Sequence, residues 1–275
     1  MEGLRRMADD KDYSKFIETI QHFRLIDDTY FNNFMDGNLT CMQLFLRIIM
    51  DEPELEVLHI QTQREVSNIY GRSVRFDVFV KDAAGDEYDI EVQRSDAWAT
   101  PERARYNSSM LDAMTVKKGF EWGKDHLPPA HVIFITEHDI LKGGKPIYHS
   151  YRTIAELNHL RLEDYADVIY VNAEIQDDTA LGRLMHDMFC ENPSDMYYQE
   201  LAARSRYFKT NEDGVRMMCE AMEKLIEERS IEEKKETILR LAAEGASLHI
   251  LSVAVKWPQK KVEEFLRSQN LQPAQ

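Results

Sequence analysis

The chain has 275 residues, a length that holds one large domain or one domain with a small appendage. Hydrophobic residues make up 43% and charged residues 30%, which is an ordinary globular composition and excludes a collagenous or wholly disordered chain. The formal net charge of −15 repels nucleic acid unless basic groups are concentrated locally or metal ions intervene.

No stretch approaches the roughly 18 consecutive apolar residues that a membrane helix needs, and the first residues lack the apolar core of a signal peptide. We therefore expect a cytoplasmic protein without a membrane partner. The three cysteines, Cys41, Cys190 and Cys219, have no C-x-x-C spacing, so they indicate packing residues and not a disulfide framework or a thiolate zinc site. His186 and Cys190 lie four residues apart, but no second pair of ligands accompanies them, and a packed helix face is the favoured interpretation.

The first elements follow a stretch without periodicity. Residues 1–12 predict a flexible leader. Apolar residues between Cys41 and Met50 recur at helical spacing, and this helix ends before Pro53. A strand is then expected from Glu56 to Ile69.

A hairpin is the clearest pattern in the chain. Residues 73–81 alternate between apolar and polar side chains, and so do residues 87–94, with a turn at Gly85 between them. The period of two places Glu91 and Gln93 on one face of the second strand, and Asp77 lies on the first strand. We expect these three polar side chains to converge.

The rest of the chain mixes helices and strands. Thr100 and Pro101 predict the start of a helix that continues to about Lys118. Residues 131–136 and 166–172 are continuously apolar, as in strands buried on both faces. Helices are expected from Asp178 through Cys190 and over residues 196–208. This pattern predicts an α/β domain over residues 13–210, a connecting helix over 211–229 and a helical unit over 230–275.

Carboxylate oxygens are hard ligands suited to Mg²⁺ or Mn²⁺. A cation at Asp77 and Glu91 would polarise a phosphodiester, and the Gln93 amide could orient the attacking water. The alternative is that these side chains are only the solvated face of an exposed hairpin.

The sequence from Gly71 to Val78, together with residues 88–94, resembles the PD-(D/E)XK nuclease superfamily. The resembling branch is that of the PD-(D/E)XK nuclease family transposases, or Rpn-type recombination-promoting nucleases. Segments upstream and downstream of the hairpin extend the resemblance over roughly residues 20 to 210. Its most specific part is Asp77 followed by Glu91-x-Gln93, where Gln93 stands in place of the lysine that ends the superfamily pattern.

The resemblance implies a restriction-endonuclease-like mixed sheet flanked by helices, and a metal-dependent DNA endonuclease linked to transposition, recombination or defence. It also implies an acidic residue on the first helical segment, which Asp28 matches best. Asp28 could equally be a helix cap, and competitors for the acidic role are Asp27, Asp51, Glu52 and Glu54. A catalytically silent DNA-binding or assembly module stays open as the alternative function, because an amide lacks the cation that lysine supplies.

DNA binding is expected on the segment after the hairpin. Residues 94–118 carry five basic and three acidic side chains in an otherwise acidic protein. Arg94, Arg103 and Arg105 are the candidate DNA contacts, and the alternative for each is a solvated salt bridge.

The last segment predicts three short helices separated by Gly245 and by Trp257-Pro258. This layout resembles a helix-turn-helix unit. Such units also serve as dimerisation or partner modules, and because the last helix has no clustered arginines, this interpretation is slightly favoured over DNA binding. A homodimer is one form that it could take.

Overall fold

The fold is taken from a computed structural model that describes residues 13–68, 73–94, 98–269 and 271. The predicted leader, residues 1–12, lies outside the described residues. So do Ile69, the last residue of the expected strand, and Gly71, the first residue of the segment that resembles the nuclease superfamily. The chain divides after Met218 into two compact units. No helix among the described residues is long and apolar enough to cross a membrane.

Among its described residues, the first unit combines six α-helices with a mixed sheet. The helices are α1 (Ser14–His22), α2 (Asp28–Met35), α3 (Leu39–Ile49), α4 (Pro101–Thr115), α5 (Ala180–Phe189) and α6 (Gln199–Thr210). The strands are β1 (Val57–Val66), β2 (Val74–Asp82), β3 (Glu87–Gln93), β4 (Ala130–Thr136), β5 (Ile147–Ser150), β6 (Thr153–Ile154), β7 (Leu160–Arg161) and β8 (Ala166–Asn172).

Six of these strands form one sheet in the order β1-β2-β3-β4-β8-β5, and β6 pairs with β7 separately. Neighbours β1–β2 and β2–β3 are antiparallel, whereas β3–β4 and β4–β8 are parallel. Every residue of the central strand β4 is buried, which explains its continuously apolar sequence. The predicted hairpin and both predicted apolar strands are confirmed.

Helix α4 covers the middle of the sheet. Its apolar residues Ala104, Met110 and Leu111 join the core cluster that contains Val132 and Phe134 of β4. Its polar positions lie against β3, and the contacts described below show that it runs antiparallel to that strand.

Several element ends differ from the sequence prediction. Helix α5 is capped by Thr179 and not by Asp178, because the Thr179 hydroxyl accepts a hydrogen bond from the backbone N–H of Gly182. Helix α4 stops at Thr115. The short edge strand β5 follows a Gly-Gly-Lys-Pro turn and carries too few residues for an alternation signal.

The elements described in the second unit are helices. Helix α7 (Glu212–Ala243) begins before the division at Met218 and runs without a break through Ser230, and it is followed by α8 (Leu248–Val255) and α9 (Gln259–Ser268). Ion pairs one turn apart, such as Lys235 with Glu232 at 3.2 Å, let the charged run remain helical. A cluster of buried residues in this unit is formed by Ile238, Leu251, Val255, Val262 and Leu266.

Candidate active site

Two carboxylates lie where β2 and β3 stop pairing. The paired register of these strands ends at Val78 opposite Ile90, so Asp77 and Glu91 are the next residues outward. Burial and then the charge of Glu91 raise the pKa of Asp77, and the nearby backbone of Val92 and of Asp77 lowers the pKa of Asp77 and of Glu91 respectively. The structure therefore brings Asp77 and Glu91 together at the point where the two strands separate.

The polar face of β3 lies against α4. The Asn107 side-chain amide donates to Asp89 Oδ2 at 2.7 Å and to Glu91 Oε1 at 3.3 Å. Further along, the Thr115 hydroxyl donates to Glu87 Oε2 at 3.2 Å. Asp89 and Glu91 are fully buried, so these contacts replace water around two acidic groups inside the protein.

Arg103 supplies the positive charge of the site. Its guanidinium forms an ion pair with Glu91 Oε2 and donates to the carbonyl of Trp98 at 3.0 Å. The Arg103 side chain is 29% exposed whereas that of Glu91 is 0% exposed. Arg103 therefore reaches from solvent into the carboxylate cluster.

Gln93 and Asp28 complete the predicted set. Gln93 Nε2 donates to Glu91 Oε2 at 3.2 Å. Asp28 stands in the first turn of α2, where Asn32 Nδ2 donates to its Oδ1 at 2.6 Å. The charge of Asp28 raises the pKa of both Asp77 and Glu91, so the helix brings this carboxylate close to the pair.

Burial and mutual repulsion raise the pKa values of the carboxyls in this site. Burial, then the neighbouring charges of Glu91 and Asp28, holds the pKa of Asp77 well above its usual range. Burial and the charge of Asp89 raise the pKa of Glu91 to about 8. Burial is also the main cause that raises the pKa of Asp89 to about 8, although the hydrogen bond from Asn107 opposes it. These carboxyls need protons or a cation to remain together at neutral pH.

The donor set fits a hard divalent cation. Asp28, Asp77, Asp89 and Glu91 bring four carboxyls to one place, and Arg103 is the cation that offsets them there. The Oδ1 atom of Asp89 is buried and has no hydrogen-bond partner among the described residues. Oxygen ligands of this kind suit Mg²⁺ or Mn²⁺.

The other two predicted arginines lie differently. Arg94 donates to Glu137 Oε2 and to Asp27 Oδ1, both at 2.9 Å. Because Asp27 is the residue before α2, this ion pair ties the end of β3 to the start of the helix that carries Asp28. Arg105 is exposed on α4, and its charge acts on Glu102.

Asp89 and Asn107 belong to the site but were not among the predicted site residues. Asp89 precedes Glu91 by two residues and so lies on the same face of β3. Asn107 follows Arg103 by four residues and so lies on the same side of α4. Both signals are present in the sequence, and they become specific only when the helix is known to cover that face of the strand.

A family model described as PD-(D/E)XK nuclease family transposase matches residues 34–181. No curated protein matches the sequence significantly. No solved structure matches it significantly either. The matched segment includes Asp77, Glu91, Gln93 and the three arginines, whereas Asp28 lies before it. The mixed sheet flanked by helices is consistent with the restriction-endonuclease-like α/β fold. The match covers more than half of the chain, and the chain therefore belongs to the PD-(D/E)XK nuclease family transposases.

Proposed function

We propose that the chain is a metal-dependent endonuclease that hydrolyses phosphodiester bonds in DNA. The observation that carries the proposal is the pair of carboxylates, Asp77 and Glu91, which lie next to each other where β2 and β3 stop pairing. Their charges repel, and a cation between them would remove that repulsion.

Asp77 and Glu91 would hold one Mg²⁺ or Mn²⁺, and Asp28 approaches from α2 as a further oxygen donor. When bound, the cation would polarise the phosphodiester and lower the pKa of water in its coordination shell. Gln93 is anchored on Glu91 and can orient the attacking water through its amide. It cannot transfer a proton, because an amide does not titrate in this range.

Arg103 has two roles in this proposal. It offsets the charge of the buried Glu91, and its exposed part can contact a phosphate oxygen. Arg105 is exposed on the same helix, and Arg94 retains 52% side-chain exposure despite its two ion pairs. We propose that these arginines bind the DNA backbone, where they would offset the net charge of −15 locally.

Plasmid nicking tests the proposal. The wild-type chain is assayed with Mg²⁺ or Mn²⁺ beside Asp77→Asn and Glu91→Gln, whose amides keep the size of the side chain and one oxygen acceptor. We expect cleavage to fall at least about 100-fold in both variants, because both proposed ligands lose their charge. Asp36→Asn is the matched control, since Asp36 is an exposed carboxylate that accepts a hydrogen bond from Thr62. Equal nicking by all four proteins contradicts the assignment.

The second candidate is a DNA-binding or assembly module that does not cleave. The observation favouring it is that both Glu91 oxygens already accept hydrogen bonds, Oε2 from Arg103 and Gln93 and Oε1 from Asn107. This candidate predicts no Mg²⁺-dependent nicking, but a salt-sensitive gel shift or an oligomer that disappears when residues 230–275 are removed. A parallel assay on RNA distinguishes the substrate class.

The biological role proposed with this activity is transposition or recombination, which the family description favours, or defence against foreign DNA. A cytoplasmic location agrees with a DNA substrate. Cleavage of a transposon end, compared with unrelated DNA of equal length, separates the first role from general degradation.

A further inference from the structure

A second group of metal-binding side chains lies at the end of α5, beyond the segment that matches the family model. It consists of His186, Asp187 and Cys190, whose ligand atoms all lie within 4.8 Å of one another. We propose that these three residues bind a zinc ion. The nitrogen, oxygen and sulfur donors differ in kind from the all-oxygen site at Asp77 and Glu91.

The spacing of the ligand atoms agrees with tetrahedral zinc. His186 Nδ1 lies 3.2 Å from Asp187 Oδ1 and 3.6 Å from Cys190 Sγ. An ion about 2.0 Å from nitrogen and oxygen and about 2.3 Å from sulfur separates a tetrahedral nitrogen–oxygen pair by roughly 3.3 Å and a nitrogen–sulfur pair by roughly 3.5 Å. The two distances from the His186 ring agree with these values, and the third pair of ligand atoms lies within 4.8 Å.

The surrounding contacts orient Asp187. This side chain is fully buried, and its two oxygens accept the backbone N–H groups of Tyr197 and Tyr198, each at 2.8 Å. Such outer hydrogen bonds fix a ligand and tune its affinity for metal. The His186 ring also packs edge-on against the Tyr197 ring, with their centroids 4.8 Å apart.

The composition and access of the site indicate which ion it takes. Imidazole and thiolate select zinc over magnesium, which prefers oxygen ligands. The His186 side chain is 34% exposed, so an ion can enter from solvent beside it. Three protein ligands leave one position for water in a tetrahedral site. Asp187 lies on α5 and accepts hydrogen bonds from the two residues that precede α6. An ion bound to Asp187 would therefore strengthen the connection between the end of α5 and the start of α6.

Metal titration of the full chain tests this site without measuring cleavage. The protein is stripped with a chelator, and Co²⁺ is added as the spectroscopic probe, followed by Zn²⁺ in competition. The titration is made in excess Mg²⁺, which occupies the proposed all-oxygen site. We expect a thiolate charge-transfer band that saturates at one Co²⁺ per chain and that one equivalent of Zn²⁺ abolishes. His186→Asn and Cys190→Ser should each weaken binding at least about tenfold.

Matched variants separate this site from the proposed nuclease site. Cys41→Ser changes another buried free cysteine and should leave the Co²⁺ band unchanged. Asp77→Asn should also keep the band, even if it abolishes nicking. Circular dichroism confirms folding, and the more exposed His186→Asn provides the test if Cys190→Ser fails to fold. An absent band in the wild type, or an undiminished band in folded His186→Asn, overturns the proposal.

Discussion

Asp89 provides a direct test of the electrostatics of the site. Its carboxyl is fully buried, and burial raises its pKa to about 8 against a usual value of 3.8. The folded chain therefore holds a proton that the unfolded chain releases above about pH 4. Because the folded state binds more protons, stability falls as pH rises from about 4 to about 8. We expect Asp89→Asn, which imitates the protonated acid, to remove part of this loss.

The size of this loss of stability follows from the raised pKa of Asp89. One pKa unit corresponds to about 1.4 kcal/mol, so holding the proton at pH 7 costs up to about 4 kcal/mol of the free energy of unfolding. Glu91 titrates together with Asp89, so Asp89→Asn should restore only part of this free energy of unfolding, about 1–3 kcal/mol. The new amide keeps an acceptor for Asn107 and can donate a hydrogen bond to Glu91.

Urea unfolding at several pH values between 4 and 8.5, in the presence of EDTA, measures this effect. The stabilisation by Asp89→Asn should be near zero at pH 4 and should grow until about pH 8. Asp178→Asn, at a carboxylate whose side chain is 89% exposed, is the matched control and should change stability by less than about 0.5 kcal/mol. A stabilisation that is independent of pH, or a loss of stability at pH 8, refutes the reasoning.

Three further predictions concern the same unit, and urea unfolding checks each of them. Arg103→Gln leaves Glu91 without its ion-pair partner and should destabilise the chain by about 2 kcal/mol, whereas an unchanged midpoint contradicts the charge balance. Tyr148→Phe removes a hydroxyl that accepts two backbone N–H groups at 3.0 Å, and should cost about 1–2 kcal/mol with faster amide exchange at residues 143–145. Gly182→Ala places a Cβ 2.2 Å from Asp177 Oδ1 and should cost at least about 2 kcal/mol, so a neutral result would disprove the close packing.

Local periodicity was sufficient for the strand part of the site. Alternation in β2 and β3 placed Asp77, Glu91 and Gln93, because the side-chain period of a strand is two whatever the tertiary structure. Asp28 was different, since its approach to the pair depends on where α2 packs. Only the resemblance to a family indicated it, and the ion pair between Arg94 and Asp27 supplies a physical reason for its position.

Contacts between distant elements were the part that spacing could not predict. Arg94 was expected to bind DNA, but its pairing with Glu137 becomes visible only once β3 and β4 are known to be parallel neighbours. The same applies to Asp187, whose backbone partners come from the start of the next helix. Helix α7 also continues past residue 230, where the sequence predicts a boundary between two units. The charged run at this point has no apolar stripe, and ion pairs one turn apart stabilise it as a helix.

The contacts of Glu91 make its side chain part of the packing between β3 and α4 as well as part of the proposed chemistry, because Arg103 and Gln93 donate to its Oε2 and Asn107 donates to its Oε1. Truncating Glu91 to alanine would leave these donors without their acceptor and would weaken the attachment of the helix to the strand. A dead alanine variant would then be ambiguous between lost reactivity and lost architecture. Any tolerated replacement at this position must therefore still accept hydrogen bonds from α4.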